Sequence, residues 1–334
     1  MPRGVERGAV YRPRGSGGRT GRAGFDEDGF TLAAAALELL DGVSSGMVPL
    51  ERIHLVGDLP ESAIADLPRL VGPSVRFERF GTGPAALAQA VGAALEGSRG
   101  AEPVAIVTVD LSDSPSDPDL AVVLRIGPDE GALDAAELRA ASDGSSSTAP
   151  ALRFAAVHGP SRPDRWTGVG RVAEGGASPG PIVRGASPPP DGPVSQGAYV
   201  PRPRYLENLA ARWRFEGERC GACHAIGFPP RGRCRSCGAT AGLVPLLLPR
   251  EGEVVATTTI GPGGQPTEFD AQVAATGPYE VVLVELAPGI RVTLQVTDAE
   301  PGSVRIGDRV GSALRRLYPM DGEWRYGRKA RPLG

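Results

Sequence analysis

All four cysteines of this 334-residue chain fall between residues 220 and 237, in CGACHAIGFPPRGRCRSC. Cys220 and Cys223 form one C-x2-C knuckle, and Cys234 and Cys237 form a second after ten intervening residues. Each knuckle turns two thiolates toward one point, and Gly221 and Gly238 ease the tight turns that aim backbone N–H groups at sulfur. Four thiolates from two knuckles make the tetrahedral all-sulfur shell that zinc prefers, and iron in a rubredoxin-like site accepts the same ligands. A complete shell leaves no open position for substrate, so the metal is expected to be structural. Competing readings are a disulfide pair, which needs an oxidising compartment, and a redox dithiol, which needs a thioredoxin-like setting. His224 adjoins the first knuckle and is either an alternative ligand or a solvent-facing loop residue.

The elements that must position this cluster follow from the surrounding pattern. Residues 201–216, PRPRYLENLAARWRFE, read as one short amphipathic helix with Tyr205, Leu206, Leu209 and Trp213 on one face. After the cysteines come strand-like runs at 253–260, 279–286, 290–296 and 308–318, with EWRYGRKA as a last strand. Five short strands punctuated by Gly and Pro behind a small module predict a compact OB-type β-barrel. The first 140 residues instead alternate helix and strand patterns. Helices are expected at 26–42 and 83–98, with a weaker one around ESAIADLPRLVG, and strands at 52–58, 103–111 and 120–127. That order predicts an α/β layer. In residues 174–197, 15 of 24 residues are Gly, Pro or Ser, which cannot build a helix or a central strand. The expected organisation is therefore α+β and multidomain. It has an α/β domain over 1–140, a linker over 141–197 (with 151–172 read as an added strand and loop), a helix and zinc ribbon over 198–250, and an OB-fold over 251–332.

Composition narrows the function classes. The chain has 41% hydrophobic residues, enough for real cores, and a formal net charge of -3, which argues against nonspecific polyanion binding. Residues 1–200 carry 18 Arg against 25 acidic residues, and residues 201–334 carry 17 Arg plus Lys329 against 14. No stretch approaches a membrane span, and the first residues lack the apolar core of a signal peptide, so the expectation is cytoplasmic.

The segment YLENLAARWRFEGERCGACHAIGFPPRGRCRSCGA resembles the DUF35 family: a helix, a rubredoxin-like zinc ribbon and an OB-fold. The resemblance rests on Tyr205, Phe215–Gly217, Arg219–Cys223, Phe228–Arg231 and Cys234–Gly238, and the later GPYEVVLVELAPGIRVTLQV and VRIGDRV resemble the family's barrel strands. It implies handling of an acyl-CoA and a thiolase-fold partner, namely a thiolase, a synthase or an aldolase; it implies no catalytic residue. The first block resembles the N-terminal half of thiolase-fold hydroxymethylglutaryl-CoA synthases through GAVYRPR (8–14), GFDEDGFTLAAAALELL and FGTGPAALAQAVGAALEGS followed by AIVTVD. Where that family carries its nucleophilic cysteine this chain has Phe80, and no cysteine exists outside the ribbon. A thiolase-type mechanism needs a thiolate at that helix N-terminus. The bland alternative is a small α/β domain of unrelated origin.

Other motifs carry less. RGSGGRTGRAG (14–24) lacks the Lys-Ser/Thr of a P-loop and reads as a disordered arm. His54, His158 and His224 lie far apart, with no nucleophile–base pairing. DLSDSPSDPD (110–119) lacks the glycine and closing glutamate of an EF-hand and reads as a solvated loop. The basic, aromatic C-terminal runs RRLY and WRYGRKARP suit either CoA, whose phosphates match arginines and whose adenine matches an aromatic face, or nucleic acid. The central strands offer Tyr279 and no other ring, which disfavours the second. The candidate contacts to acyl-CoA or to a partner are Phe228, Arg231, Arg233, Arg235, Arg328 and Lys329; a solvated charged loop is the competing reading for the three arginines between the knuckles. The resulting expectation is a non-catalytic scaffold or auxiliary subunit that binds a thiolase-fold enzyme and helps hold or transfer an acyl-CoA. The alternatives are a subunit that completes an aldolase or synthase active site, and a nucleic-acid-binding module.

Overall fold

The structure is a computed structural model. It describes residues 4–11, 26–41, 50, 52–57, 59, 64–65, 67–71, 75–96, 103–111, 120–127, 166–167, 200–320 and 323–333. The chain divides into two compact units, Met1–Ser178 and Pro179–Gly334.

The first unit is an α/β layer, as the alternating pattern predicts. Its strands are β1 (Gly4–Tyr11), β2 (Arg52–Gly57), β3 (Arg76–Arg79), β4 (Val104–Asp110), β5 (Leu120–Gly127) and β6 (Trp166–Thr167), in the sheet order β3-β2-β4-β5-β1-β6. β2 runs parallel to β3 and β4, while β5 is antiparallel to β4 and β1. The helices are α1 (Gly29–Asp41), α2 (Leu67–Val71) and α3 (Gly83–Glu96). α1 starts with a reciprocal cap: the Thr31 N–H donates to Asp28 Oδ1 at 3.0 Å and the Asp28 N–H donates to Thr31 Oγ1 at 2.8 Å. Alanines let the helices lie close on the sheet; Ala33, Ala34 and Ala36 of α1 are fully buried, as are Ala90 and Ala94 of α3, which pack with Ile106, Val122 and Ile126 of the strands. Gly57 has φ +115, and a Cβ there would lie 1.7 Å from the Val109 carbonyl oxygen, so only glycine fits where β2 meets β4. Of the stretch expected as a linker, 141–197, only Trp166–Thr167 is described, and the dipeptide pairs with β1. The arginine-glycine arm at 14–24 lies outside the described residues, as does most of the aspartate-rich 110–119.

The second unit begins with two short helices, α4 (Arg202–Glu207) and α5 (Leu209–Arg214), where the pattern predicts one. Asn208 breaks them, with φ -106 and ψ 12. Next is a three-stranded sheet of β7 (Glu216–Cys220), β8 (Ile226–Gly227) and β9 (Leu243–Leu247), in the order β8-β7-β9. Five antiparallel strands follow: β10 (Glu251–Ile260), β11 (Tyr279–Ala287), β12 (Ile290–Gln295), β13 (Arg309–Met320) and β14 (Glu323–Pro332), in the order β12-β11-β10-β13-β14. Helix α6 (Asp270–Thr276) sits between β10 and β11. A parallel bridge from Val296 to Ala330, with the Thr297 N–H donating to the Ala330 carbonyl at 2.8 Å, brings the end of β12 to β14 and closes the sheet into a barrel.

Barrel and three-stranded sheet share one apolar core. Val254, Val282, Val284, Val292, Leu294 and Val310 point inward from the barrel strands, and Phe215, Phe228, Leu246 and Leu248 join them from the ribbon side. Phe215 caps α5 in the left-handed conformation, φ 54, which turns the chain from helix into β7. Its ring meets Phe228 edge-on at 6.0 Å.

Candidate functional site

The site grows from the turns at the two ends of the ribbon. Cys220 ends β7, and the chain reverses through residues 221–225 into β8. The Cys220 N–H donates to the Ala225 carbonyl at 3.0 Å and the His224 N–H to the Cys220 carbonyl at 2.9 Å. The second knuckle repeats this pattern: Cys234 N–H to Ala239 carbonyl at 2.8 Å, Gly238 N–H to Cys234 carbonyl at 3.0 Å. His224 (φ +61) and Gly238 (φ +77) occupy the same place in the two turns. His224 is thus a left-handed turn residue. The Gly221 N–H, which donates to the Gly242 carbonyl at 2.8 Å, ties the first knuckle to the chain entering β9.

The four sulfurs lie within 4.8 Å of one another, with Cys220 to Cys237 at 3.7 Å and Cys223 to Cys234 at 3.5 Å. A tetrahedron with Zn–S bonds of about 2.3 Å has sulfurs ~3.8 Å apart, so the donor set and its spacing fit a four-thiolate metal site. Among the described residues this is the one group of three or more Cys, His, Asp or Glu placed to hold a metal. Backbone N–H groups prepare the sulfurs. Those of Cys223 and Ala222 lower the Cys220 pKa, and those of Cys237 and Ser236 bring Cys234 down to about 6. Cys223 also receives an N–H, from Ala225, but the facing sulfurs of Cys237 and Cys234 outweigh it and push its thiol up to about 12. Four thiolates this close would repel one another, and a cation among them would relieve that repulsion. Two of them, Cys220 and Cys234, are buried and two are exposed, so the site sits at the ribbon's surface.

The six expected contact residues do not converge. Arg231, Arg233 and Arg235 are exposed around the knuckles; the Arg231 N–H donates to Glu218 Oε1 at 3.1 Å and Arg233 Nε donates to the Gly238 carbonyl at 3.3 Å. Phe228 is half-buried and packs into the shared core, where it fastens the ribbon to the barrel. Arg328 and Lys329 are interior residues, 4% and 2% exposed, so neither offers its charge at the surface where a ligand would meet it. For Arg328 the reason is that α4 and α5 cover β14: Tyr205 and Trp213 both donate to the Tyr326 carbonyl at 3.1 Å, and Arg328 Nε donates to the Trp213 carbonyl at 2.5 Å. The basic-aromatic run forms the expected last strand, and that strand is buried.

In the first unit Phe80 lies between β3 and α3, half-buried, its N–H donating to the Leu55 carbonyl at 2.9 Å. Its ring stands 4.8 Å from that of His54. His54 is fully buried, with Nδ1 2.8 Å from the Ala90 carbonyl and Nε2 3.3 Å from Glu78. Burial lowers its pKa, against the pull of the Ala90 carbonyl and of Glu78.

The family model for the C-terminal OB-fold domain of ChsH2 matches residues 247–315. A DUF35 domain-containing scaffold protein of Methanothermobacter thermautotrophicus is 32% identical over 131 residues, which is 39% of this chain and 94% of that relative. The chain belongs to the DUF35 family. Among solved structures, the Ltp2-ChsH2(DUF35) aldolase is 21% identical and covers 42% of this chain and 98% of its own, with a TM-score of 0.30. PksG, a Bacillus HMG-CoA synthase, is 14% identical and covers 38% of this chain and 42% of its own, with a TM-score of 0.33. In this DUF35 protein the family likeness accounts for about two-fifths of the chain. Among the described residues no helix is long and apolar enough to cross a membrane.

Proposed function

We propose that this DUF35 protein is a scaffold subunit that binds a thiolase-fold enzyme and helps hold or transfer an acyl-CoA, with a structural zinc in its ribbon. The observation that carries the reading is the use of the cysteines: all four are knuckle residues whose sulfurs lie within 4.8 Å of one another. A closed thiolate shell supplies shape and no open position for chemistry. Cys220, Cys223, Cys234 and Cys237 would hold the metal, which when bound cross-links the two turns that a segment this small cannot otherwise keep folded. The relative that matches over 94% of its length is named a scaffold protein, which supports the same role here. Phe80, between β3 and α3, brings an aromatic ring where a thiolase-type enzyme needs a thiolate, and this supports reading residues 1–140 as a non-catalytic, degenerate thiolase-like half. The exposed arginines Arg231, Arg233 and Arg235 are the groups of the candidate set that remain open to CoA phosphates or to a partner.

The test is to purify the tagged full chain from its native host at modest salt and identify what accompanies it by mass spectrometry. A thiolase, synthase or aldolase of the thiolase fold in near-equal amount is the expected outcome. Its absence, or recovery of nucleic acid with steeply salt-dependent binding, would sink the scaffold reading.

A further inference from the structure

Resting on that scaffold reading, we infer that the exposed end of the ribbon sheet's core-side face, the row Ile226–Arg219–Val244, is where the enzyme partner docks, and that the partner meets it with an apolar patch rimmed by acidic side chains. The pairing register sets Ile226 opposite Arg219 on one side and Val244 opposite Arg219 on the other. Residues directly opposite share a face of the sheet, so the three side chains stand in one row. Ile226 is 39% exposed and Val244 52% exposed. Phe228 and Leu246, two residues along from Ile226 and Val244, share this face and pack into the core, so the row is that face's exposed continuation, two β-branched aliphatics flanking one cation.

Charge decides the partner's chemistry. From Arg219 to Arg250 the chain carries five arginines and not one acidic residue. Four thiolates around a divalent cation would add two negative charges, and the region would still be positive by three. Arg219, Arg231, Arg233 and Arg235 are all exposed. A second copy of this chain would set arginine against arginine across the row, a like-charge juxtaposition that disfavours self-association. Nucleic acid would want rings for base stacking, which aliphatic Ile226 and Val244 do not supply. An apolar centre ringed by carboxylates satisfies both parts of the surface, with the buried aliphatic contact giving affinity and the rim giving orientation and speed of encounter. Pro245 withdraws a backbone donor from the edge strand β9, so the face, and not strand addition, is the route of contact.

The experiment compares the full chain with Val244→Asp, Arg219→Glu and a control, Ile306→Asp, whose residue is 67% exposed in the loop before β13. The thiolase-fold enzyme that co-purifies with the wild-type chain is identified, purified and titrated against each variant at two salt concentrations, with metal content and far-UV dichroism measured alongside. The two ribbon variants should each weaken binding by about tenfold or more, with metal content intact, the control unchanged, and wild-type binding weaker at high salt. Unchanged binding by both ribbon variants overturns the docking surface while leaving the scaffold reading in place. Variants that keep the enzyme but lose affinity for acetyl-CoA, or that change the chain's own oligomeric state, overturn it too, because the row then serves a ligand or a second copy. A wild-type chain that brings down no thiolase-fold enzyme overturns the scaffold reading and the surface with it.

Discussion

The Tyr205 hydroxyl holds both backbone groups of Tyr326: it accepts the Tyr326 N–H at 2.8 Å and donates to the Tyr326 carbonyl at 3.1 Å. One side chain thereby pins the helix pair before the ribbon to the last strand of the barrel, 121 residues later. Tyr205→Phe keeps the ring and removes both bonds. Trp213 still serves the carbonyl, so the cost falls on the N–H, about 1–3 kcal/mol for a buried donor losing its partner. Urea denaturation of the full chain should show a lower midpoint at an unchanged slope, with metal content unaffected.

His224 and Gly238 occupy matching positions in the two knuckles, and both have positive φ. Glycine takes that conformation freely, whereas histidine bears a cost of about 1 kcal/mol or more. His224→Gly should therefore retain the metal and hold or raise the unfolding midpoint, while His224→Val should lower it. Loss of metal from the glycine variant would make His224 a ligand and refute the turn role.

The part of this arrangement that could be read from the sequence is the part set by short-range covalent geometry. Two C-x2-C spacings and a glycine after the second knuckle are enough to specify a sulfur tetrad, because each pair is held by its own turn. The buried runs VAIVTV and YEVVLVEL likewise declare strands by composition. What failed depended on partners distant in sequence. β14 is legible as a strand but not as a buried one, because its arginines, lysine and tyrosine suit water equally well; only Tyr205 and Trp213, more than a hundred residues earlier, show that its surroundings are interior. RFER at 76–79 has the charges of a surface loop, yet it pairs with β2 because a sheet-edge strand can leave half its side chains in water. Phe228, between the knuckles, reads as a contact to acyl-CoA or to a partner, yet it packs into the core. The pattern had no means of showing that Phe215 lies 6.0 Å away to receive it.

His54 gives the first unit a definite response to acid. Burial lowers its pKa from 6.5, so the folded chain resists the proton that the unfolded chain accepts. The stability that follows is full above the unfolded pKa of about 6.5 and is lost as pH falls through the lower folded value. Equilibrium unfolding measured between pH 7.5 and 5 should show a decline with acid that is shallower in His54→Gln, a variant that keeps a polar group for the Ala90 carbonyl. An identical decline in both chains would assign the acid response elsewhere. An NMR titration of the His54 imidazole should give a midpoint below 6.5.

Because Phe215, Phe228, Leu246 and Leu248 share a core with the barrel valines, metal held by the ribbon should stabilise the barrel as well. If the ribbon were an independent bead, stripping its metal would leave the barrel's melting untouched. The shared core predicts the opposite: a chelator, or Cys237→Ser, frees the two turns and with them the loop that carries Phe228. Amide exchange along β10, β11 and β12 should then accelerate although none of these strands holds a metal ligand. Phe228→Ala separates the two causes. It leaves all four sulfurs in place and should keep its metal, yet lose about 2 kcal/mol of stability for a half-buried ring removed from a packed core. Metal loss with unchanged barrel exchange would show that the ribbon folds by itself and that the shared core contributes nothing to the barrel.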